Sequence, residues 1–284
     1  MTEPRISVVI PCFNHGEFLP QAVASVIDAK RADVELIVVD DGSTDERTRV
    51  EMDALRSKGI RVIRQENKGL AAARNAGIAA CTGEYILPLD ADNRVRPEYF
   101  EHGIRILDAN PKVGVVYGDA KYVGTQTGRW SVGAFDLQRL LEWNYIDACA
   151  IYRRTIWEQT GGYDGTMPVQ GLEDWDFWLG AAEHEWEFSY VPEVLFIYRV
   201  AEGSMIMGTQ GFGPAIIDFI ARKHGNLYRL AWSELMRERE SLVAERASLE
   251  NERRSLKWTI RNLSGLLRSR IAHKLNGQSE RVRR

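Results

Sequence analysis

Asp90 and Asp92, with Ala91 between them, follow directly on an apolar run, residues 85–89. Two carboxylates two residues apart at a strand end can chelate one hard cation, Mg2+ or Mn2+. They leave coordination positions open for the oxygens of a diphosphate. The same acids would also serve as a helix N-cap and a turn acid. A second acidic corner, Asp40-Asp41-Gly42-Ser43, ends another apolar run. Its carboxylates suit a nucleobase imide or a ribose hydroxyl, or the capping of the next helix, for which Ser43, Thr44 and Asp45 are all good residues. Asn67-Lys68-Gly69 and Arg74-Asn75 add cations near the same place, where a diphosphate would be recognised; Arg74 equally suits a surface ion pair. Glu173 and Asp174 open an aromatic helical stretch, Trp175-Asp176-Phe177-Trp178. A helix N-terminus stabilises an acid there as the anion. A carboxylate beside Trp175 in a cleft is also a sensible general base for a sugar hydroxyl.

For these corners to act together, the elements before them must end at one edge. Residues 6–12 form a β-branched run, followed by the polar corner Phe13-Asn14-His15-Gly16. Phe18, Leu19, Ala22, Val23, Val26 and Ile27 recur at helical steps. Residues 35–40, 60–65 and 84–89 read as further strands, and residues 69–81 as an Ala-rich helix stopping near Gly83. Strands alternating with helices predict βαβ units and a parallel sheet covered on both faces. Strands apolar at every position fit a buried sheet. Ligands of such sheets bind outside the carboxyl ends of the strands, where the three polar corners fall. The second half is less regular. Residues 113–119 predict a strand, 122–130 a hairpin turning at Gly124 and Gly128, and 145–152 another strand. Gly161-Gly162-Tyr163-Asp164-Gly165 is loop chemistry; residues 172–185 predict a helix and 190–200 an extended segment.

Six segments occur in order: SVVIPCFN (7–14), ELIVVDDGSTD (35–45), NKGLAAARNAGI (67–78), GEYILPLDADN (83–93), GGYD (161–164) and LEDWDFWL (172–179). Together they resemble the family 2 glycosyltransferases, over about residues 5–205. The resemblance implies an α/β fold of the GT-A type, with a Rossmann-like, mostly parallel sheet and helices on both faces. It implies an inverting transfer from a nucleotide-diphospho-sugar, uridine-linked by family analogy, with Mn2+ or Mg2+ as cofactor. Pro11, Phe13 and Asn14 match the family's nucleoside site, and Asp41, rather than Asp40, its uracil contact. Asn67, Lys68 and Arg74 match the nucleotide and phosphate neighbourhood. Asp92 matches the metal-bound acid, with Asp90 and Ala91 beside it. Asp174, next to Glu173, matches the base, and Trp175 and Gly162 fall on the acceptor side. One departure stands out: where the family stretch often carries a metal- or phosphate-binding His, this chain has Ala201. Arg199, His224 or water is then the expected substitute.

Composition is that of a folded protein. The chain has 284 residues, 44% hydrophobic and 27% charged, which excludes a disordered chain or a fibre. A net charge of −3 argues against nucleic acid as main partner. Cys12, Cys81 and Cys149 are isolated, odd in number and without CxxC spacing, so neither a disulfide framework nor a zinc site follows, and a reducing, cytoplasmic setting is expected. No apolar run reaches a membrane span, and the first strand is too short for a signal-peptide core. The charge is unevenly placed. Residues 1–228 hold 23 Lys/Arg against 33 Asp/Glu, and residues 229–284 hold 14 against 7. The expected division is therefore a catalytic domain, 1–225, and a helical basic tail, 226–284. In the tail Leu235, Leu242, Leu249, Leu256 and Leu263 recur every seven residues, while the other seam position holds Arg239, Arg246, Arg253 and Ile260. That suits a homodimer or a long solvated helix. Residues 257–284 form a basic amphipathic pattern that suits an anionic membrane surface, peripheral at the inner face. The expected partners are thus a nucleotide-sugar donor and a glycan or lipid-linked acceptor, in surface-glycan assembly by analogy. Two other readings remain. A sugar nucleotidyltransferase would need a Gly-rich, Arg-containing loop where Pro11-Cys12-Phe13-Asn14 stands. A non-catalytic scaffold would have no need of Asp92 and Asp174.

Overall fold

The alternating first ninety residues fold as βαβ units. In a computed structural model that describes residues 4–168, 170–201 and 213–281, β1 (Ile6–Cys12) lies parallel to β2 (Val34–Asp41) and β4 (Tyr85–Pro88). β3 (Arg61–Gln65) extends the parallel set beyond β2. Between them run α1 (Leu19–Ile27), α2 (Glu46–Ser57) and α3 (Leu70–Ala79). Of the three candidate caps for α2 the chain uses Asp45, whose carboxylate accepts from the Thr48 N–H at 2.8 Å. Side chains of a strand alternate between faces. Val8, Ile10 and Val38 join α1, α2 and α4 (Pro97–Ala109) in the main core. On the other face, Val9 and Val39 meet α3 at Gly77. Helices therefore cover both faces.

The remaining elements are β5 (Arg94–Val95), β6 (Val113–Gly124), β7 (Gly128–Trp130), α5 (Leu137–Glu142), β8 (Ile151–Arg153), α6 (Arg154–Thr160), α7 (Glu173–Glu183), β9 (Glu187–Val200), α8 (Gly213–Lys223) and α9 (Gly225–Arg281). The sheet order is β3-β2-β1-β4-β8-β6-β9-β5, with β7 forming the expected hairpin on β6. β8 runs antiparallel to both β4 and β6, so direction reverses in mid-sheet.

The strand expected over residues 145–152 is a correction. Only its last two residues, continued by Arg153, pair in the sheet, as β8. Tyr145, Ile146, Ala148, Cys149 and Ala150 are buried without a ladder. Instead the Asn144 side chain accepts from the Ile146 N–H at 3.2 Å, and Asp147 from the Cys149 N–H at 2.8 Å. Such local side-chain bonds offer the backbone an alternative to sheet pairing.

The chain divides into two compact units, Met1–Tyr228 and Arg229–Arg284. The first turn of α9 belongs to the first unit, where the Tyr228 hydroxyl donates to the Leu141 carbonyl at 2.6 Å. In the second unit, Leu235, Leu242, Leu249, Leu256 and Leu263 are exposed. Among the described residues no helix is long and apolar enough to cross a membrane, and the three cysteines are buried thiols.

Gly77 measures how closely α3 lies on the sheet. A Cβ there would stand 2.3 Å from Val9 Cγ1 and 3.0 Å from Val39 Cγ2. Alanine improves helix propensity by up to about 1 kcal/mol, but overpacking costs about 1–3 kcal/mol. Gly77→Ala is therefore expected to lower the urea midpoint; an unchanged or higher midpoint would mean that α3 moves off the sheet freely.

Candidate active site

Because β1, β2 and β4 are parallel, their carboxyl ends share one edge, and each runs into a polar corner. Asn14 follows β1 with φ of 55°, a left-handed conformation that Asn tolerates. Its Oδ1 accepts from the Thr44 and Asp45 N–H groups at 2.8 and 3.2 Å. The Ser43 hydroxyl accepts from the Asn14 N–H at 3.1 Å. Phe13 is exposed beside it, whereas Pro11 is buried within β1 and presents no surface to a nucleoside. At the end of β2, Asp41 accepts from Gln65 Nε2 at 2.7 Å and from the Lys68 and Gly69 N–H groups at 3.0 and 2.9 Å. A carboxylate takes about four hydrogen bonds, so little of Asp41 is left for a base. Asp40 accepts from the Ser43 N–H at 2.9 Å. Gly42 (φ 75°) packs so closely that a Cβ would lie 2.6 Å from the Asn67 nitrogen. The side chains of Asn67 and Lys68 are exposed.

The β4 corner is tied to α7 by one cation. Arg74 is buried, not a surface residue, and its terminal nitrogens reach Asp90 Oδ1 at 2.8 Å and Glu173 Oε1 at 3.1 Å. Burial acts to lower its pKa, but Asp90 and Glu173 outweigh that and hold it above its ordinary value. Where a phosphate contact was expected, this guanidinium pairs with two carboxylates. Glu173 is committed as well, since its other oxygen accepts from the Gly171 N–H at 2.7 Å. Asp174 is not tied in this way. One oxygen accepts from the Trp175 N–H at 2.9 Å. Burial, reinforced by Asp147 and Glu173 and opposed by Arg74, pushes its pKa well above the usual carboxylate range.

Asp147 is the residue that the sequence reading missed. Burial and Asp90 raise its pKa to about 7. Burial and Asp90 also raise Asp92 to about 6, against His15 and Arg199. Asp90, Asp92, Asp147 and Asp174 all press on the Tyr198 hydroxyl, which burial already holds above its ordinary pKa. These four acids therefore form one electrostatic cluster. Beside them Tyr198 stands edge-on to both Tyr122 and Trp130, whose rings stack at 5.8 Å. An aspartate inside the otherwise apolar stretch Tyr145-Ile146-Asp147-Ala148 was the available signal.

Among the described residues no three His, Cys, Asp or Glu side chains gather into a metal cage. The donor set nevertheless fits a divalent cation held by one or two carboxylates: like-charged acids crowded together raise one another's proton affinity, and a cation relieves the same repulsion. Of the substitutes for Ala201, Arg199 lies near enough to lower the pKa of Asp92. Its guanidinium sits 4.4 Å from the Phe18 ring centroid, and its N–H donates to Asn93 Oδ1 at 2.9 Å. His224 is excluded, because its ring nitrogens face Glu183 at 2.9 Å and Asp176 at 3.0 Å.

The two acceptor-side residues are also corrected. Trp175 is fully buried, donating to the Leu140 carbonyl at 2.6 Å, and only its neighbour Trp143 is exposed. Gly162 (φ 86°) is a close-packing position, where a Cβ would lie 2.6 Å from Asn75 Oδ1. Asn75 in turn accepts from the Tyr163 N–H and donates to its carbonyl, fixing the Gly161–Gly165 loop to α3. A small crevice beside these elements is lined by Lys68, Gly69, Asp164, Gln170 and Glu173. A wider groove of about 400 Å3, lined by Ile27, Lys30, Arg31 and Val34, lies at the amino end of β2, away from the acids.

A mixed α/β sheet with acidic corners on one edge is the architecture of the GT-A glycosyltransferases. A model of the family "Glycosyl transferase family 2" matches residues 7–169, and the chain belongs to that family of enzymes. It is 33% identical over 181 residues to a PGL/p-HBAD biosynthesis glycosyltransferase of Mycobacterium bovis, covering 62% of this chain and 69% of the relative. It is 27% identical to the putative glycosyltransferase EpsH of Bacillus subtilis, over 74% and 65% of the two chains. Among solved structures it resembles TarS of S. aureus in complex with UDP-GlcNAc, with TM-score 0.60, 20% identity and 72% of this chain covered. It also resembles the mannosyltransferase PcManGT of Pyrobaculum calidifontis with GDP-Man and Mn2+, with TM-score 0.55, 20% identity and 73% covered. The chain spans 60% of the length of each of these two.

The polar contacts of His224 hold α7 from its outer side. Lys223 reaches Asp164 at 2.6 Å and Asp176 at 2.9 Å. Two carboxylate partners favour the imidazolium, in which both His224 nitrogens donate. Burial alone would lower its pKa, but the bonds to Asp176 and Glu183 raise it above 6.5. A raised folded-state pKa stabilises fully below the unfolded value of about 6.5, and that stability is lost as pH rises through the folded value. Urea midpoints should therefore fall from pH 6 towards pH 9, and fall less in His224→Gln. An equal fall in both proteins would remove His224 as the cause.

Proposed function

We propose that the protein transfers a sugar from a nucleotide-diphospho-sugar, uridine-linked, to a hydroxyl of a glycan or lipid-linked acceptor, with inversion. The observation that carries this reading is Asp174: a buried carboxylate of raised proton affinity at the start of α7, in one electrostatic cluster with Asp90, Asp92 and Asp147. A base of raised pKa pulls harder on a hydroxyl proton. Asp174 takes the proton as the acceptor oxygen bonds to the anomeric carbon, and the bond from that carbon to the diphosphate oxygen breaks. The nucleoside diphosphate departs with the electron pair. One displacement, from the face opposite the leaving group, inverts the centre and needs one base. Asp92, with Asp90 beside it, would hold Mn2+ or Mg2+, which when bound offsets the charge of the diphosphate. Phe13, Asn14 and the exposed Asn67 and Lys68 offer the nucleotide side its contacts. Tyr122, Trp130 and Tyr198 offer aromatic faces to a sugar.

The setting that fits this reading is the inner face of a cell membrane, in surface-glycan assembly. Relatives include a PGL/p-HBAD biosynthesis glycosyltransferase, and residues 257–284 carry eight Lys/Arg against one acid, Glu280. Each such cation near an anionic surface contributes about 1 kcal/mol.

Two measurements test the site. Asp174→Asn is expected to cut turnover with a UDP-sugar at least about a hundredfold, the lower range for losing a general base, while calorimetry still detects donor binding. Retention of more than about a tenth of turnover would assign the base to another acid. Asp92→Ala is expected to weaken donor binding only when Mn2+ is present. Equal weakening in excess EDTA would give Asp92 a structural role in place of the cation.

A further inference from the structure

Three successive heptads of α9 share one pattern: Glu238-Arg239-Glu240-Ser241-Leu242, Glu245-Arg246-Ala247-Ser248-Leu249 and Glu252-Arg253-Arg254-Ser255-Leu256. With leucine at heptad position d, arginine falls on a and glutamate on g. The seam runs from Trp232 and Leu235 to Ile260 and Leu263, apolar at both ends, with arginines only in the middle. Its leucines are 40–63% exposed.

The repeated glutamates have no oppositely charged residue at helical spacing within their own helix. Helical side chains meet at spacings of three and four, not one, so the adjacent Glu–Arg of each heptad do not face each other. At three or four residues on either side, Glu238, Glu245 and Glu252 have no Lys or Arg, and Arg239 has no Asp or Glu. The ion pair described on this stretch is Arg246–Glu250, at 3.2 Å. The repeated glutamates thus keep step with the leucines without a cation that their own helix can supply.

A second helix of the same sequence supplies it, in one orientation. In a parallel, in-register pair the g position of one chain flanks the a position of the other, so each repeated Glu comes beside an Arg of the second copy and offsets the like charges that the arginines bring together across the a layer. In an antiparallel pair g faces g, and glutamate would oppose glutamate. We infer that α9 is a parallel, in-register homodimerisation helix, in which Glu238, Glu245 and Glu252 of each copy pair with Arg239, Arg246 and Arg253 of the second copy. The arginine stems pack along the leucine seam while their heads reach outward. Such a seam is weaker than one of Ile and Leu, and its charge pairs are screened by salt.

The full chain tests this. Sedimentation velocity should give a species of twice 32.3 kDa at low salt that dissociates on dilution and on adding salt. The triple variant E238R/E245R/E252R should be monomeric, and adding R239E/R246E/R253E to it should restore the dimer. Circular dichroism of each variant separates lost association from lost helix. Orientation is read by Leu235→Cys and Leu256→Cys, made singly, since the native thiols are buried. A parallel dimer forms a disulfide at both sites. They lie 21 residues, about 31 Å, apart on a helix, so an antiparallel dimer can link through one at most. A monomer at every concentration, a charge swap that fails to restore association, or linkage at one site alone would overturn the inference. So would a monomer that sediments with vesicles of anionic phospholipid through these same leucines.

Discussion

The buried guanidinium of Arg74 is the constraint on which the site depends. A desolvated cation is tolerated only when paired, and removing one partner of a buried pair costs about 3–5 kcal/mol. Arg74 pairs with Asp90, 16 residues away, and with Glu173, 99 residues away. It thereby joins the corner after β4 to the start of α7. One acid of each motif is spent on this tie. Among the described residues the neighbour in each motif, Asp92 and Asp174, makes no ion pair, and both have raised proton affinity. The division of labour within Asp90-Ala91-Asp92 and Glu173-Asp174 follows from which acid the arginine takes.

α3 and α7 are held as rigid parts around that tie. Along α3, Arg74 points to the acids, Asn75 fixes the Tyr163 backbone and Gly77 lies against Val9. Three neighbouring positions on one helix thus face the site, the loop and the sheet. α7 is packed by Trp175, Phe177 and Trp178, all buried, and gripped through Asp176 by Lys223 and His224. The apolar contacts fix where the helix lies. The polar ones bind it to the Asp164 loop and to α8, elements distant in sequence.

Much of this was legible in the sequence because strand ends and helix starts carry local signals. Apolar β-branched runs gave β1 to β4, and turn-and-cap residues gave the acidic corners, with the GT-A class following from their order. What could not be read were partnerships between distant residues. Arg74 looks the same in sequence whether it meets water, phosphate or two carboxylates. Trp175, next to Asp174 in sequence, points into the packing because helical geometry turns neighbours in different directions, and Gly162 is held by close packing on Asn75. The run containing Asp147 has strand composition, yet Asx bonds from Asn144 and Asp147 take the backbone out of the sheet, and that irregularity aims an acid at the cluster.

The cluster also constrains what can enter. A diphosphate is an anion, and on the proposed reading it would approach the cluster of Asp90, Asp92, Asp147 and Asp174, with Arg74 already paired to Asp90 and Glu173. Like charges in a poorly solvated site repel strongly. Arg199 and Lys68 offer positive charge at the margin, but Lys68 is exposed and screened by solvent. A divalent ion held by Asp92, with Asp90 beside it, would offset the charge of the acids and of the diphosphate. The crowding of acids, which destabilises the site by itself, is the repulsion that a divalent cation would relieve in the proposed transfer.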